Sequence, residues 1–211
     1  MLPPAGPALD GDRAAILLAV VGDDLVEVDR GTARISWAES MDPTLRLAHV
    51  DLSSAAVEPA GDGVAARARA ESVTSVAVAA LAVGLCDRAL RMTVDHSKQR
   101  VQFGRPIGSF QALKHRMAEM LCRLEVARSA TWAAAYALTD AAADPEETEL
   151  LTRAAASCSL EAAAHLAGEC VQLHGGIAIT WEHDAHLVLK RAHALAQLAG
   201  VPHRHRSAVV L

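Results

Sequence analysis

Two periods of hydrophobicity divide this chain. Between residues 14 and 60 the apolar side chains come in short runs, AAILLAVV, DLVEVD, ARISWAE and LAHVDLS, separated by GDD, DRG and DPT. Runs of that length bounded by Gly, Asp and Pro predict strands and turns. Four short strands with no helix among them make a small antiparallel sheet, too small to be stable alone. From about Asp62 the apolar positions recur with helical spacing. Residues 64–98 predict one long Ala/Val/Leu helix, interrupted only by Gly84, where a closely approaching helix would be accommodated. A second helix is expected from Ser109, as N-cap, to about Ala142. ADPEETE then supplies a turn, an N-terminal Pro and first-turn acids for a third, ending near Leu173 before Gly175 and Gly176. A fourth covers roughly 183–198 and stops at Gly200 and Pro202. The predicted fold is mainly α: a four-helix up-and-down bundle over residues 63–211, preceded by a small antiparallel β fragment over residues 1–62. Pro-rich residues 1–9 are read as extended or disordered.

Composition sharpens this picture. The 52% hydrophobic content is largely Ala, with three Trp, one Tyr and two Phe, which lets helices pack closely. A net charge of -5 with scattered Lys and Arg leaves no electrostatic footprint for nucleic acid. No apolar run reaches the length of a membrane span on this reading, and MLPPAGPALDGDR lacks the regions of a signal peptide, so no membrane and a cytoplasmic location are expected. Cys86, Cys122, Cys158 and Cys170 show no CxxC spacing and lie among Ala and Leu, as buried thiols of a reducing compartment do. The histidines at 174, 183, 186, 193, 203 and 205 invite a metal reading, with His183 and His186 offering two ligands on one helix face. No second pair of ligands accompanies them, and no metal site is expected.

Two stretches carry specific chemistry. QRVQFGRPIGSFQALKHRMAEM, residues 99–120, places Arg100, Gln102 and Phe103 in the corner between two long helices, with Phe110 and Gln111 at the first turn of the next. A helix N-terminus presents unpaired N–H groups and partial positive charge, which suits an anionic, partly aromatic ligand such as a dinucleotide pyrophosphate. An ordinary helical corner with a surface Arg and a core Phe has the same sequence. CVQLHGGIAITWEHDAHLVLKRA, residues 170–192, ends a helix in Gln172 followed by Gly175 and Gly176. The glycine pair admits a close backbone or a planar ligand, or serves simply as a C-cap.

Together, RxQFGxPIxxFQ with the downstream QLHGG and TWEHDAHLxxKRA resembles the C-terminal domain of the acyl-CoA dehydrogenase family, strongly over residues 64–200, while MDPTLRLAHVDLS resembles the end of that family's middle β-domain. The resemblance implies a flavoprotein that oxidises acyl-CoA thioesters to trans-2-enoyl-CoA, in fatty acid or steroid side-chain degradation, with FAD as cofactor. It implies an FAD shared across a subunit interface, whose ADP portion is held by the C-terminal domain of the neighbour. By motif position Arg100, Gln102, Phe103, Phe110, Gln111, Gln172, Gly175 and Gly176 are the residues that would bind it. Implied partners are a homo- or hetero-oligomer with an acyl-CoA dehydrogenase-like subunit, the acyl-CoA substrate and electron-transfer flavoprotein.

The chain departs from the family where the catalytic base belongs. Family members carry Glu either just before a Gly-Thr pair, here Ala199-Gly200-Val201, or on the first long helix, here Thr74. Ala accepts no proton, and Thr is a poor base without an activating partner. Glu71, one turn before Thr74, is explained by solvation beside Arg67 and Arg69. No catalytic residue is therefore assigned, and the tail LAGVPHRHR resembles those of non-catalytic subunits in actinobacterial heterotetrameric dehydrogenases. The family's N-terminal helical domain, which supplies most of the acyl-CoA cleft and flavin contacts, is expected to come from outside these residues. A non-enzymatic helical dimerisation module derived from the family is the competing reading.

Overall fold

The computed structural model describes residues 7–140 and 142–209. By compactness the chain forms two units, Met1–Glu71 and Ser72–Leu211. In the first, six strands build two three-stranded antiparallel sheets. The strands are β1 (Pro7–Leu9), β2 (Leu18–Val21), β3 (Asp24–Val28), β4 (Arg34–Ala38), β5 (Leu47–Asp51) and β6 (Val57–Asp62). Their orders are β1-β5-β4 and β2-β3-β6. The single small sheet expected from the sequence is thus two, because β1 and β6 were not legible. Strand β6, VEPAGD, is exposed throughout and contains Pro and Gly, so it shows no alternation; as an edge strand it tolerates Pro59, which has no N–H to donate. Val28, Val50 and Leu52 are buried together at the centre of this unit. The Arg30 guanidinium donates to the carbonyls of Gly11, Asp12 and Ala14, tying the N-terminal loop down, and Asp12 in turn pairs with Arg46.

Helix α1 (Gly63–Gln99) starts directly at the end of β6. Asp62 caps it, its Oδ1 accepting from the N–H groups of Val64 and Ala65 at 2.8 and 3.0 Å. A Cβ on Gly63 would come within 2.6 Å of the Asp24 carbonyl carbon, so only glycine lets the helix leave the sheet at this point. Gly84, by contrast, would place a Cβ in open space; the expected close helix approach there is absent. By length and composition α1 is also apolar enough to cross a membrane, which corrects the reading that no stretch is. In the bundle Val78, Ala82, Cys86 and Ala89 of this helix enter the main core.

A hairpin of β7 (Val101–Gln102) and β8 (Arg105–Pro106), then a single 3-10 turn (Ile107–Ser109), connect α1 to α2 (Gln111–Thr139). The N-cap of α2 is Phe110 rather than Ser109, because Ser109 closes the 3-10 turn and no side chain caps the helix. Helix α2 also stops at Thr139, short of the expected end near 142; Ala141 lies outside the described residues. Helix α3 (Pro145–His174) begins as its sequence demands, with the Asp144 carboxylate accepting from the Glu146 N–H, Pro145 at the first position and Glu146 and Glu147 in the first turn. Helices α4 (Ala185–Ala199) and α5 (Pro202–Ser207) complete the bundle. The last was not expected; Pro202, read as a terminator, opens it at its first turn.

Helix α3 is the centre of the bundle, in contact with α2, α4 and α5. Its buried face alternates small and branched residues, including Ala155, Ala156, Leu160, Ala163, Leu166 and Ala167. Arg116 on α2 fixes the register from the rim through paired bonds to Glu169, at 2.5 and 2.9 Å, and holds that carboxyl below its ordinary range. Of the four thiols only Cys86 and Cys170 are buried, and burial pushes Cys86 up to about 12; Cys122 is exposed and Cys158 half-buried, so the expectation of four buried thiols is corrected.

Leu160 is fully enclosed by the bundle, and Leu160→Ala is expected to lower unfolding stability by about 2–5 kcal/mol, while Asp144→Ala, which removes only a cap, should cost about 1 kcal/mol. Urea unfolding followed by circular dichroism checks both, and equal losses would contradict the central place given to α3.

Candidate functional site

Helices α1 and α3 end side by side, and a cleft of about 480 Å³ opens at their C-termini. Arg100 and Gln102 line it from the first motif, and Gln172, Gly175 and Gly176 from the second. Five of the eight residues selected from the sequence thus face one space. The Arg100 backbone closes α1, its N–H donating to the His96 carbonyl at 2.9 Å while its carbonyl accepts from Ile107 at 2.8 Å. Its guanidinium makes no ion pair among the described residues and is exposed. Gly175 caps α3 in the left-handed region, at φ 67°, with its N–H on the Val171 carbonyl. A Cβ on Gly176 would meet nothing within 4 Å, so no contact within the chain requires glycine there; the free space is the cleft itself.

Phe103, Phe110 and Gln111 do not line this cleft. Phe103 and Gly104 form the two-residue turn of the β7–β8 hairpin, with φ of 53° and 76°. That is the left-handed pair a type I′ turn requires, and a bulky residue in its first place carries about 1–2 kcal/mol of strain. Phe103 is 92% exposed, and its ring meets Phe110 edge-on with centroids 6.1 Å apart. Phe110 is half-buried, with the Arg105 guanidinium 4.0 Å over its face, and Gln111 is exposed at the start of α2.

Ile107, Leu173 and Ile177 complete the cleft with two histidines that were not expected in it, His96 and His174, the second read from the sequence only as a metal ligand. Their signals were present, since His96 precedes Arg100 by four residues on the same helical face and His174 lies inside QLHGG. The His96 and His174 rings stack with centroids 4.4 Å apart, and the tilted His183 ring also packs on His174 at 4.4 Å. The buried His174 Nδ1–H donates to the Cys170 carbonyl at 2.6 Å. Burial lowers the pKa of His96, and His174, His183 and Arg100 lower it further. His174 is lowered by burial too, against the Cys170 carbonyl, then by His183, against the Met92 carbonyl.

Two sequence expectations change here. The positive end of a helix was to meet the ligand, but the cleft lies at the C-terminal, negative ends of α1 and α3, away from Gln111 at the start of α2. His183 and His186 do not share a helix face, because α4 begins only at Ala185: His183 packs on His174, and His186 on Trp181.

The comparisons with known proteins agree with this architecture. Residues 61–210 match the family described as acyl-CoA dehydrogenase, C-terminal domain. The acyl-CoA dehydrogenase IpdE2 of Mycobacterium tuberculosis is 44% identical over 197 residues, which are 92% of this chain and 56% of that protein. The chain thus spans little more than half the length of this relative. The ChsE4–ChsE5 complex from Mycobacterium tuberculosis shares the fold, with a TM-score of 0.87 at 21% identity over 97% of this chain and 57% of the matched one. The Tcur3481–Tcur3483 steroid ACAD has a TM-score of 0.83 at 25% identity, over 97% of this chain and 58% of that one. With the helical core, the glycine-capped α3 and the family match running through both motifs, this chain belongs to the acyl-CoA dehydrogenase family by its C-terminal domain.

Proposed function

We propose that this chain is the cofactor-clamping C-terminal part of a flavoprotein that dehydrogenates acyl-CoA thioesters between the α and β carbons, and that it acts in an oligomer with a dehydrogenase-like subunit. The observation that carries this reading is the convergence of Arg100 and Gln102 with Gln172, Gly175 and Gly176 on one cleft from two distant stretches of the chain. The residues fit the ADP half of FAD: an unpaired guanidinium for the pyrophosphate, two side-chain amides for its polar groups, and a glycine backbone beside open space. FAD, when bound, supplies the acceptor for the β-hydride. Arg100 and the glycine backbone would hold the anionic part, and the exposed Phe103 ring would cover cofactor or partner surface beyond the hairpin.

The chain's own groups do not account for removal of the α-proton. Ala199 ends α4 with its carbonyl accepting from His205 Nε2 at 2.8 Å, and its methyl group holds no proton. Thr74 is an exposed hydroxyl on α1 with no base assigned to it. The base is therefore assigned to a partner subunit. ChsE4–ChsE5, similar in fold, is a complex of two proteins, which supports a hetero-oligomer; the steroid ACAD supports a steroid-derived acyl group over a simple fatty acyl chain. Electron-transfer flavoprotein is the proposed acceptor and the cytoplasm the proposed location. The loss of both base positions favours one second reading, a non-enzymatic helical module that only dimerises with an intact dehydrogenase.

Purified with a dehydrogenase-like subunit from the same genome, the chain is expected to elute in a yellow complex, and Arg100→Ala to weaken FAD retention by about tenfold or more, measured by flavin absorbance against protein. A colourless but stable complex would favour the dimerisation module. Phe103→Asn places a residue tolerant of positive φ in the turn and should raise stability by up to about 1 kcal/mol while weakening FAD retention. Undiminished FAD retention in this variant would remove Phe103 from the site.

A further inference from the structure

The cleft proposed for the pyrophosphate has an unfavourable polarity. It sits at the C-terminal ends of α1 and α3, where the helix dipoles place negative potential, and among the described residues Arg100 is the only permanently charged cation lining it. A pyrophosphate diester brings two negative charges. The remaining basic groups on the cleft wall are His96 and His174, each in the last turn of its helix. We propose that the stacked His96 and His174 rings are the second cationic element of this site, and that entry of the pyrophosphate is coupled to uptake of one proton by the stack. This rests on the clamp reading of the cleft and adds to it which residues carry the charge and when.

The geometry limits the uptake to one proton. Centroid spacings of 4.4 Å from His96 to His174 and from His174 to His183 place a second imidazolium directly against the first, with Arg100 on the same face as His96. In the free chain, burial and this mutual repulsion keep the rings neutral below the ordinary imidazole range. The surroundings are nonetheless prepared for a cation. The Cys170 carbonyl takes the His174 Nδ1–H, the Met92 carbonyl of α1 favours the protonated ring, and both helix ends stabilise positive charge. His174 Nε2 is buried without a hydrogen-bond partner among the described residues. From the segment before α4, His183 faces the stack with its Nδ1 occupied by the Ala185 N–H, and Asp184 is turned to Arg88. Asp95 and Lys98, on the same turn as His96, pair with each other at 4.0 Å in solvent. No carboxylate among these neutralises the stack, so an incoming anion is what raises its proton affinity.

The sign follows from linkage. The free stack takes up its proton below the ordinary imidazole range, the anion raises that point, and between the two the affinity for the anion rises as pH falls, by at most about tenfold per unit. The test is isothermal titration of the full chain with ADP-ribose, a pyrophosphate diester without a group of its own titrating near neutrality. It is run between about pH 5.5 and 8.5, each point in two buffers of different ionisation heat. Net proton uptake approaching one per ADP-ribose, changed in extent or pH range in His96→Gln and in His174→Gln and lost when both are replaced, is the expected result; His96 is half-buried, so its variant remains informative if those at His174 fail to fold. Binding with equal heats in both buffers and a flat pH profile overturns the proton coupling and leaves the clamp standing. Uptake with an unchanged extent and pH profile in the His96 variant also overturns it, because that ring then takes no part in the coupling. Failure to bind ADP-ribose at any pH overturns the clamp and this inference with it.

Discussion

The close packing of α3 against its neighbours is the constraint from which the rest of the helical unit follows. Alanines at 155, 156, 163 and 167 let other helices approach it closely, while Leu160 and Leu166 fill the layers between. Dispersion and burial of this kind are indifferent to direction, so the register needs further fixing. Glu169 held by Arg116, and Thr131 Oγ1 meeting Ser159 Oγ at 3.1 Å, supply it between α2 and α3. A slip of α3 by one turn would carry Gln172, His174 and the glycine pair away from Arg100. The cleft is a consequence of the packing before it is a matter of its own residues.

Much of this was legible in the sequence, and the parts that were not share a physical reason. Helical period, the Asp-Pro-Glu-Glu start of α3 and the glycines that end α3 and α4 are local signals with local causes, and they read correctly to within a few residues. The strands β1 and β6 carry no such signal, since short edge strands bury little and show no alternation. Ser109 has the right chemistry for a cap but is consumed by the 3-10 turn, a competition between neighbouring backbone geometries that composition does not express. Gly84 reads as a contact point only if a neighbour exists, and neighbours are a property of the fold.

The candidate site repeats the lesson at closer range. Motif spacing singled out Arg100 and the Gly175-Gly176 pair because they stand where long helices break off, inside stretches that resemble a family's motifs. It passed over His96 and took His174 only for a metal ligand, whereas the importance of each lies in the other: two half-ordinary histidines become a stack only when α1 and α3 end together. It also placed the converging residues at a helix N-terminus, whereas the cleft they line opens at C-terminal ends, because the direction in which a helix approaches a cleft is set by the bundle and not by the motif.

The hairpin turn at Phe103 and Gly104 has a bearing on how such a chain ages in evolution. A bulky ring held at positive φ and left in solvent is a standing handicap, since Asn or Gly in its place would relieve the backbone at no visible cost to the chain itself. Genetic drift should therefore erase this aromatic early in any lineage that no longer holds a cofactor, well before it wears down the buried alanines of α3. The strained turn is, in that sense, a clock for disuse: its survival or loss among descendants would date the retirement of the site independently of the fold that carries it.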